Sequence, residues 1–445
     1  MKPQPLNLNV RGLSLSATVA INEQSLRLIR EGKNVARLGL GQSPFPVPAP
    51  VVEALRSNAS RKDYLAVAGL FELREAVAEY HRRRSGTIGA AEDVLIGPGS
   101  KELMFLLQLV YYGELVIPTP AWVSYAPQAQ IIGRRVSMLH GRAESGWRLE
   151  PGQLEELCAE DPNRPRIVVL NYPSNPTGGT YTTSELKELA GVARRFGILL
   201  LSDEIYGELH HCGEHVSIAN FYPEGTIVSS GLSKWCGAGG WRLGTFAFPR
   251  DLHWLLDAMA AVASETYTST SAPIQYAAVR AFRGGMQIER YLNHARRILS
   301  ALGKAVCQRL RRSEIDVLEP TGAFYVFPNF SRWREELEAR GICTSEELAQ
   351  RLLAETGVAV LPGSAFGRSP DELTLRIAYV DFDGAKALAA VEAMPADREL
   401  GEAFLNVHCL RILEAMDRTC KWLESGRSST AAEEVAAPLS RGAAE

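Results

Sequence analysis

From residue 93 the chain repeats one texture: a short unbroken apolar run, then a longer stretch with apolar residues at helical spacing. "DVLIG" leads into "KELMFLLQLVYY", "ELVIP" into "VSYAPQAQIIG", and "RIVVLNYP" into "TTSELKELAGVARRFG"; "ILLLSDEIY", "TIVSSGLS" and "GTFAFP" come next. A strand that is apolar on both sides needs cover on both faces, and helices between consecutive strands supply it. The pattern predicts an α/β fold with a mostly parallel sheet covered by helices on both faces. Thr182 followed by Glu185, and Thr344 followed by Glu347, mark two helix starts as capping boxes.

From about residue 287 the texture changes. A long helical stretch (287–313) precedes "IDVLEPTGAFYVFPNF", a helix at 344–356, "VAVLPG", "LTLRIAYV" and further helices. This predicts a smaller α+β domain. With 445 residues the chain exceeds one small core. The expected division is a segment 1–45 packing on the small domain, a large domain 46–286, the small domain 287–425 and a tail 426–445. The tail has no aromatic residue and one leucine, so it is expected to be disordered. "ELGEAFLNVHCLRILEAMDRTCKWLES" just before it reads as an amphipathic helix for packing or an interface.

The net charge of −3 gives no basic surplus for nucleic acid or an anionic membrane. No apolar run is long enough to span a bilayer, and "MKPQPLNLNVRGLSLS" lacks the apolar core of a secretion signal. Seven scattered cysteines, odd in number and without a CxxC pair, read as reduced thiols in a cytoplasmic protein.

In open α/β sheets ligands bind outside the carboxyl ends of the strands, and the unusual residues cluster there. Gly99, Ser100 and Lys101 open a helix after "DVLIG" and form an anion-binding turn. Trp122 follows "ELVIPTP" where a flat ligand could stack. Asn175 is held in "NYPSNPTGG" by prolines and glycines. Asp203 and Tyr206 follow "ILLLS", a half-dry setting in which a carboxylate needs a cationic partner. Lys234 and Arg242 lie in the glycine-rich "SGLSKWCGAGGWRLG", where the backbone allows close approach. Together these are the parts that a phosphorylated aromatic aldehyde would use: a lysine to condense with it, a carboxylate for its ring nitrogen, and an arginine and a nest for its phosphate.

"NYPSNPTG", "SDEIY" and "SKWCGAGGWRLG", in this order and spacing, resemble the fold-type-I pyridoxal-phosphate enzymes, specifically the class I/II, aspartate-aminotransferase-like transaminases. "LGLGQSPFPVP", "DYLAVAGLFELREAV", "GSKE", "TPAW", "GAFYVF" and "LRIAY" extend the similarity from about 35 to 380. The resemblance implies pyridoxal 5'-phosphate as cofactor. It implies transfer of an amino group between an α-amino acid and a 2-oxo acid, in a homodimer with shared active sites. Lys234 would carry the Schiff base and shuttle the proton. Asp203 would pair with the ring nitrogen, Tyr206 and Asn175 would bond the ring oxygen, and Trp122 would stack on the ring. Ser100, Lys101 (through its backbone N–H), Ser233 and Arg242 would bind phosphate, with Tyr64 reaching the phosphate of the partner subunit. Arg376 would clamp the substrate α-carboxylate with help from the Gly41 backbone and the neighbouring Trp122 and Asn175.

Relatives with the same residue set also run elimination, β-lyase chemistry or aminocyclopropane-carboxylate-synthase-like cyclisation, so these stay open as alternatives. A non-catalytic regulator on this fold is disfavoured by the intact Lys234, Asp203, Arg242 and Arg376 set. Two positions depart from the family. Gly231 stands where a phosphate-binding serine is frequent. "SETYTSTSAP" (264–273) lacks the arginine that aspartate-type relatives use for a side-chain carboxylate, which predicts neutral, aromatic or basic donors ahead of acidic ones. "HHCGEH" (210–215) reads as an exposed turn rather than a metal site, because Gly213 interrupts it. Phe324 and Tyr325 alternate like core strand residues, one of them able to edge the substrate pocket. Cys236 has no evident base partner to make it a nucleophile.

Overall fold

The structure, a computed structural model, describes residues 6–85, 89–395 and 398–435. Its strands are β1 (Ala36–Arg37), β2 (Val94–Gly97), β3 (Glu114–Thr119), β4 (Val136–His140), β5 (Arg166–Asn171), β6 (Leu199–Asp203), β7 (Thr226–Gly231), β8 (Gly244–Ala247), β9 (Tyr325–Val326), β10 (Val358–Ala359), β11 (Leu361–Pro362) and β12 (Leu375–Ala378). Seven of them form one sheet in the order β2-β8-β7-β6-β5-β3-β4. All its pairings are parallel except those of β8, which runs against β2 and β7.

Alternation within the apolar runs feeds the two faces of this sheet. Ile117, Val169 and Leu201 pack on one side with Leu103, Leu107 and Met259 from the helices Ser100–Val110 and His253–Glu265. Their neighbours Val116, Val168 and Leu200 pack on the other with Leu154, Leu186 and Leu189 from the helices Pro151–Glu160 and Thr183–Arg195. Both expected capping boxes are present: the Thr182 and Thr344 hydroxyls accept from the Glu185 and Glu347 N–H groups, and the glutamates accept in return.

Helix Met286–Arg312 links the sheet to the second unit and buries Ile288, Leu292, Ile298, Leu302 and Leu310 along one face. That unit holds the antiparallel β11-β12-β9 sheet and a parallel pair, β1 with β10. The pairing Ala36↔Val358 ties the amino-terminal segment to the carboxyl-terminal third. The stretch after residue 401 makes two helices rather than one, Glu402–His408 and Leu410–Val435, because Cys409 leaves helical geometry at φ −128°. Helical backbone continues to Val435, ten residues past the point where the tail was expected to begin. Ala431, Ala432, Glu433 and Glu434 have the propensity for it. The remainder of that tail, 436–445, lies outside the described residues. Among the described residues no helix is long and apolar enough to cross a membrane. All seven cysteines are unpaired.

Candidate active site

The direction of chain progression reverses beside β3. From β3 the chain moves outward to β4 and then returns to place β5 on the other flank. Such a reversal leaves a crevice at the carboxyl ends of the strands, here flanked by Trp122 after β3 and Asn175 after β5. Tyr206 follows β6, Ser233 and Lys234 follow β7, and the Ser100 helix follows β2. Arg242 reaches the same end because β8 is antiparallel and begins there. The second unit closes the crevice with Arg376 from β12 and Gly41 from the chain after β1. The result is a cavity of about 550 Å³, a size suited to a small ligand. All the residues assigned to the site from the sequence line this cavity except Tyr64. Tyr64 is 88% exposed on the connection between the helices Ala49–Asn58 and Phe71–Ser85.

Lys234 Nζ donates to the Gly41 carbonyl at 2.6 Å and sits 5.5 Å from the centre of the Tyr206 ring. Burial pulls its pKa down to about 8, and the positive charge of Arg376 adds to the effect while Asp203 opposes it. An amine of this kind is largely neutral in mildly alkaline solution, the form that attacks a carbonyl.

Asp203 is 3% exposed. Burial pushes its carboxyl up to about 6, against the opposing pull of the Tyr125 hydroxyl, the Ile205 N–H and Lys234. Tyr125 donates to Oδ2 at 2.6 Å, whereas Oδ1 is buried without a hydrogen-bond partner. A buried acceptor left open is costly unless something else fills it. Tyr125 went unassigned in the sequence. Its signal was the turn "TPAWVSY", which sets it three residues after Trp122, and the two rings meet edge to face at 5.3 Å.

Gly99 caps the helix Ser100–Val110 at φ 95°, with the free N–H groups of Ser100 and Lys101 just beyond it. A Cβ on Gly99 would run into the Arg242 guanidinium, and one on Gly244 into the Ser100 backbone nitrogen. Glycine at these two positions lets the arginine and the helix start converge, which makes an anion cradle. Gly231 has the same kind of reason: a Cβ there would lie 2.7 Å from the Leu243 carbonyl, so this backbone has no room for a side chain at that position. Lys101 Nζ lies 5.0 Å from the centre of the Trp122 ring, and burial, with Arg242 nearby, lowers its pKa.

Arg376 is fully buried. It donates to Asn175 Oδ1 at 3.2 Å and to the Gly39 carbonyl, and lies 4.9 Å from the centre of the Tyr325 ring. Its Nε has no hydrogen-bond partner, and among the described residues no carboxylate pairs with it. A buried guanidinium without an acid is set to receive one. Tyr325 is both core and pocket wall: it is fully buried, and its hydroxyl shares a 2.6 Å hydrogen bond with that of Tyr206. Gly39 had no sequence signal of its own. The "HHCGEH" side chains disperse, His215 to Glu204 at 2.8 Å and His211 to the Ala323 carbonyl at 3.2 Å. Cys236 is buried, and its thiol is pushed well up by that burial.

An amine with its pKa lowered to about 8, an open buried carboxylate, an anion cradle and an arginine without an acid partner, gathered at the switch point of a parallel sheet, define an enzyme of amino-group chemistry on carboxylate-bearing substrates. The sequence model of the family "Aminotransferase class I and II" matches residues 33–393. An aspartate aminotransferase of Geobacillus stearothermophilus is 34% identical over 378 residues, covering 83% of this chain and 93% of the relative. An asparagine–oxo-acid transaminase of Streptococcus mutans is 31% identical over 383 residues, covering 84% and 94%. The solved structure of Thermus thermophilus aspartate aminotransferase with maleate superposes with a TM-score of 0.80 at 28% identity, over 94% of this chain and 100% of that one. The chain belongs to the class I and II aminotransferase family. It is a transaminase, transferring an amino group between an amino acid and a 2-oxo acid.

Proposed function

We propose that Lys234 works with pyridoxal 5'-phosphate, and that the substrates are α-amino acids that include the acidic ones. The observation that carries this is the pairing, in one cavity, of the open Asp203 Oδ1 with a Lys234 amine of pKa about 8. Asp203 would meet the ring nitrogen, Trp122 the ring face, and Asn175 and Tyr206 the ring oxygen. Ser100, the Lys101 N–H, Ser233 and Arg242 would hold the phosphate. When bound, the cofactor supplies an electrophilic carbonyl and an electron-accepting ring.

The chain's own groups do the rest. Asp203, charged above about pH 6, favours a protonated partner at the ring nitrogen. Arg376 takes the substrate α-carboxylate as a two-pronged donor, which fixes the α-carbon in relation to Lys234. Lys234 Nζ would take the proton from that carbon and hold it for return, a role its lowered pKa suits. Tyr64, exposed outside the cavity of its own chain, would complete the phosphate site of a second copy, so the working unit is a homodimer.

The acidic donors rest on Lys101. The loop 264–273, read alone, offered no cation for a side-chain carboxylate, but the ammonium of Lys101 lines the cavity without a carboxylate partner among the described residues. The test is a donor panel: protein loaded with pyridoxal phosphate is mixed with single amino acids, and decay of the aldehyde absorbance is followed. Aspartate or glutamate should convert at least as well as leucine or phenylalanine. Conversion of simple amines but not of α-amino acids would refute the carboxylate reading.

A further inference from the structure

The family match ends at residue 393, yet the chain continues into a packed structure. Leu405, Cys409, Ile412, Leu413, Met416 and Leu423 are buried against the small domain. One residue of this carboxyl-terminal part, Arg411, reaches the amino-terminal segment. Arg411 donates through Nε to Asp381 Oδ2 at 2.8 Å and through Nη2 to the Val35 carbonyl. The same Asp381 oxygen accepts the Arg37 backbone N–H at 2.8 Å. Further along the helix, Arg418 donates to the Thr356 carbonyl at 3.1 Å, just before β10, the partner of β1.

The chain leaving β1 forms a wall of the active site. Leu38 donates to the Ala359 carbonyl at 2.9 Å and accepts from the Ala378 N–H at 2.9 Å, which ties it to the strand that carries Arg376. Gly39 then accepts from Arg376, and Gly41 accepts from Lys234. Two backbone carbonyls, two and four residues after β1, therefore hold the carboxylate clamp and the reactive amine. Short segments like this are placed by what anchors their ends.

We infer that Arg411, at the start of the helix Leu410–Val435, is a positioning residue that sets residues 38–41 against Arg376 and Lys234. The inference rests on reading Arg376 as the carboxylate clamp. Removing the Arg411 side chain leaves Asp381 and the Val35 carbonyl short of a donor, and the segment relaxes toward solvent. Small displacements at a clamp carry large effects on binding.

The test measures donor KM and kcat, together with calorimetric titration of maleate, a non-reactive dicarboxylate, into the cofactor-loaded protein. Arg411→Ala is expected to raise both the donor KM and the maleate Kd by about fivefold or more while kcat stays within about twofold. Trp422→Phe, on the same helix as Arg411, removes the Trp422 bond to Glu355 of the helix Ser345–Thr356 and is expected to lower Tm without moving either constant. Arg411→Ala with both constants unchanged overturns the proposal, as does an equal rise in Trp422→Phe, which would signal a general loss of stability. Should Arg411→Ala not fold, the isosteric Asp381→Asn carries the same expectations. Arg376→Lys separates the two readings. Unchanged maleate affinity in it overturns the clamp and this proposal together. Weakened binding there but not in Arg411→Ala overturns this proposal alone.

Discussion

Replacing Asp203 by Asn should remove a pH-dependent stability cost from the cofactor-free protein and abolish the activity of the loaded one. Burial raises the Asp203 carboxyl from 3.8 to about 6. The folded state therefore prefers the protonated acid, and the stability this lends is complete below the unfolded pKa and lost as pH rises through about 6. The full cost of holding the charged form is about 3 kcal/mol, and about 1.3 kcal/mol of it accrues between pH 5 and pH 7. Asn keeps the shape and can still accept from Tyr125, but it carries no charge to bury. Its unmet amide N–H adds a cost of about 1–3 kcal/mol that does not vary with pH. The assay is urea unfolding of the cofactor-free wild type and Asp203→Asn at several pH values. Relative to the variant, the wild type should lose about 1 kcal/mol or more on going from pH 5 to pH 7. A difference in stability that stays flat across that range would refute the reasoning, because Asp203 would then not be a buried, reluctant carboxylate.

The same geometry carries three more expected outcomes. Lys234→Ala should lower turnover by at least about 10²–10⁴-fold, and borohydride reduction of the loaded wild type should leave a pyridoxyl group on residue 234 and nowhere else, as read by peptide mass spectrometry. Uptake of pyridoxal phosphate by cofactor-free protein should quicken with pH and level off above about 8, where the Lys234 amine is neutral, as stopped-flow absorbance would show. Tyr125→Phe removes a charge-assisted hydrogen bond worth about 1.5–3 kcal/mol, so the acid limb of the pH–rate profile should move upward by about one to two pH values.

Much of the fold was legible because its cause is local. A strand buried on both faces must be apolar throughout, so Leu199–Leu201 and Ile167–Leu170 announced the interior of a parallel sheet. The capping threonines marked helix starts within a few residues, since the cap bond joins positions three apart. The site was legible for a related reason: each residue after a strand end lands at the same edge of the sheet, so Trp122, Asn175, Asp203 and Lys234 could be gathered from spacing before any contact was known.

The features that escaped the sequence depend on approach between distant segments. The turn "TPAWVSY" sets Tyr125 near Trp122 but does not pair it with Asp203, 78 residues away, and nothing local marks Gly39 as the acceptor for Arg376, 337 residues away. The fit of Gly231 against the Leu243 carbonyl is likewise a matter of two strands packed side by side. The lowered pKa of Lys234 and the raised one of Asp203 exist only in the folded chain, because desolvation depends on neighbours brought together from distant segments. By itself the sequence determined which elements form, in what order, and which side chains stand at the mouth of the sheet. The tertiary structure decided which of those groups are dry, which are paired and which are left open, since burial and hydrogen bonding depend on neighbours that chain order does not specify.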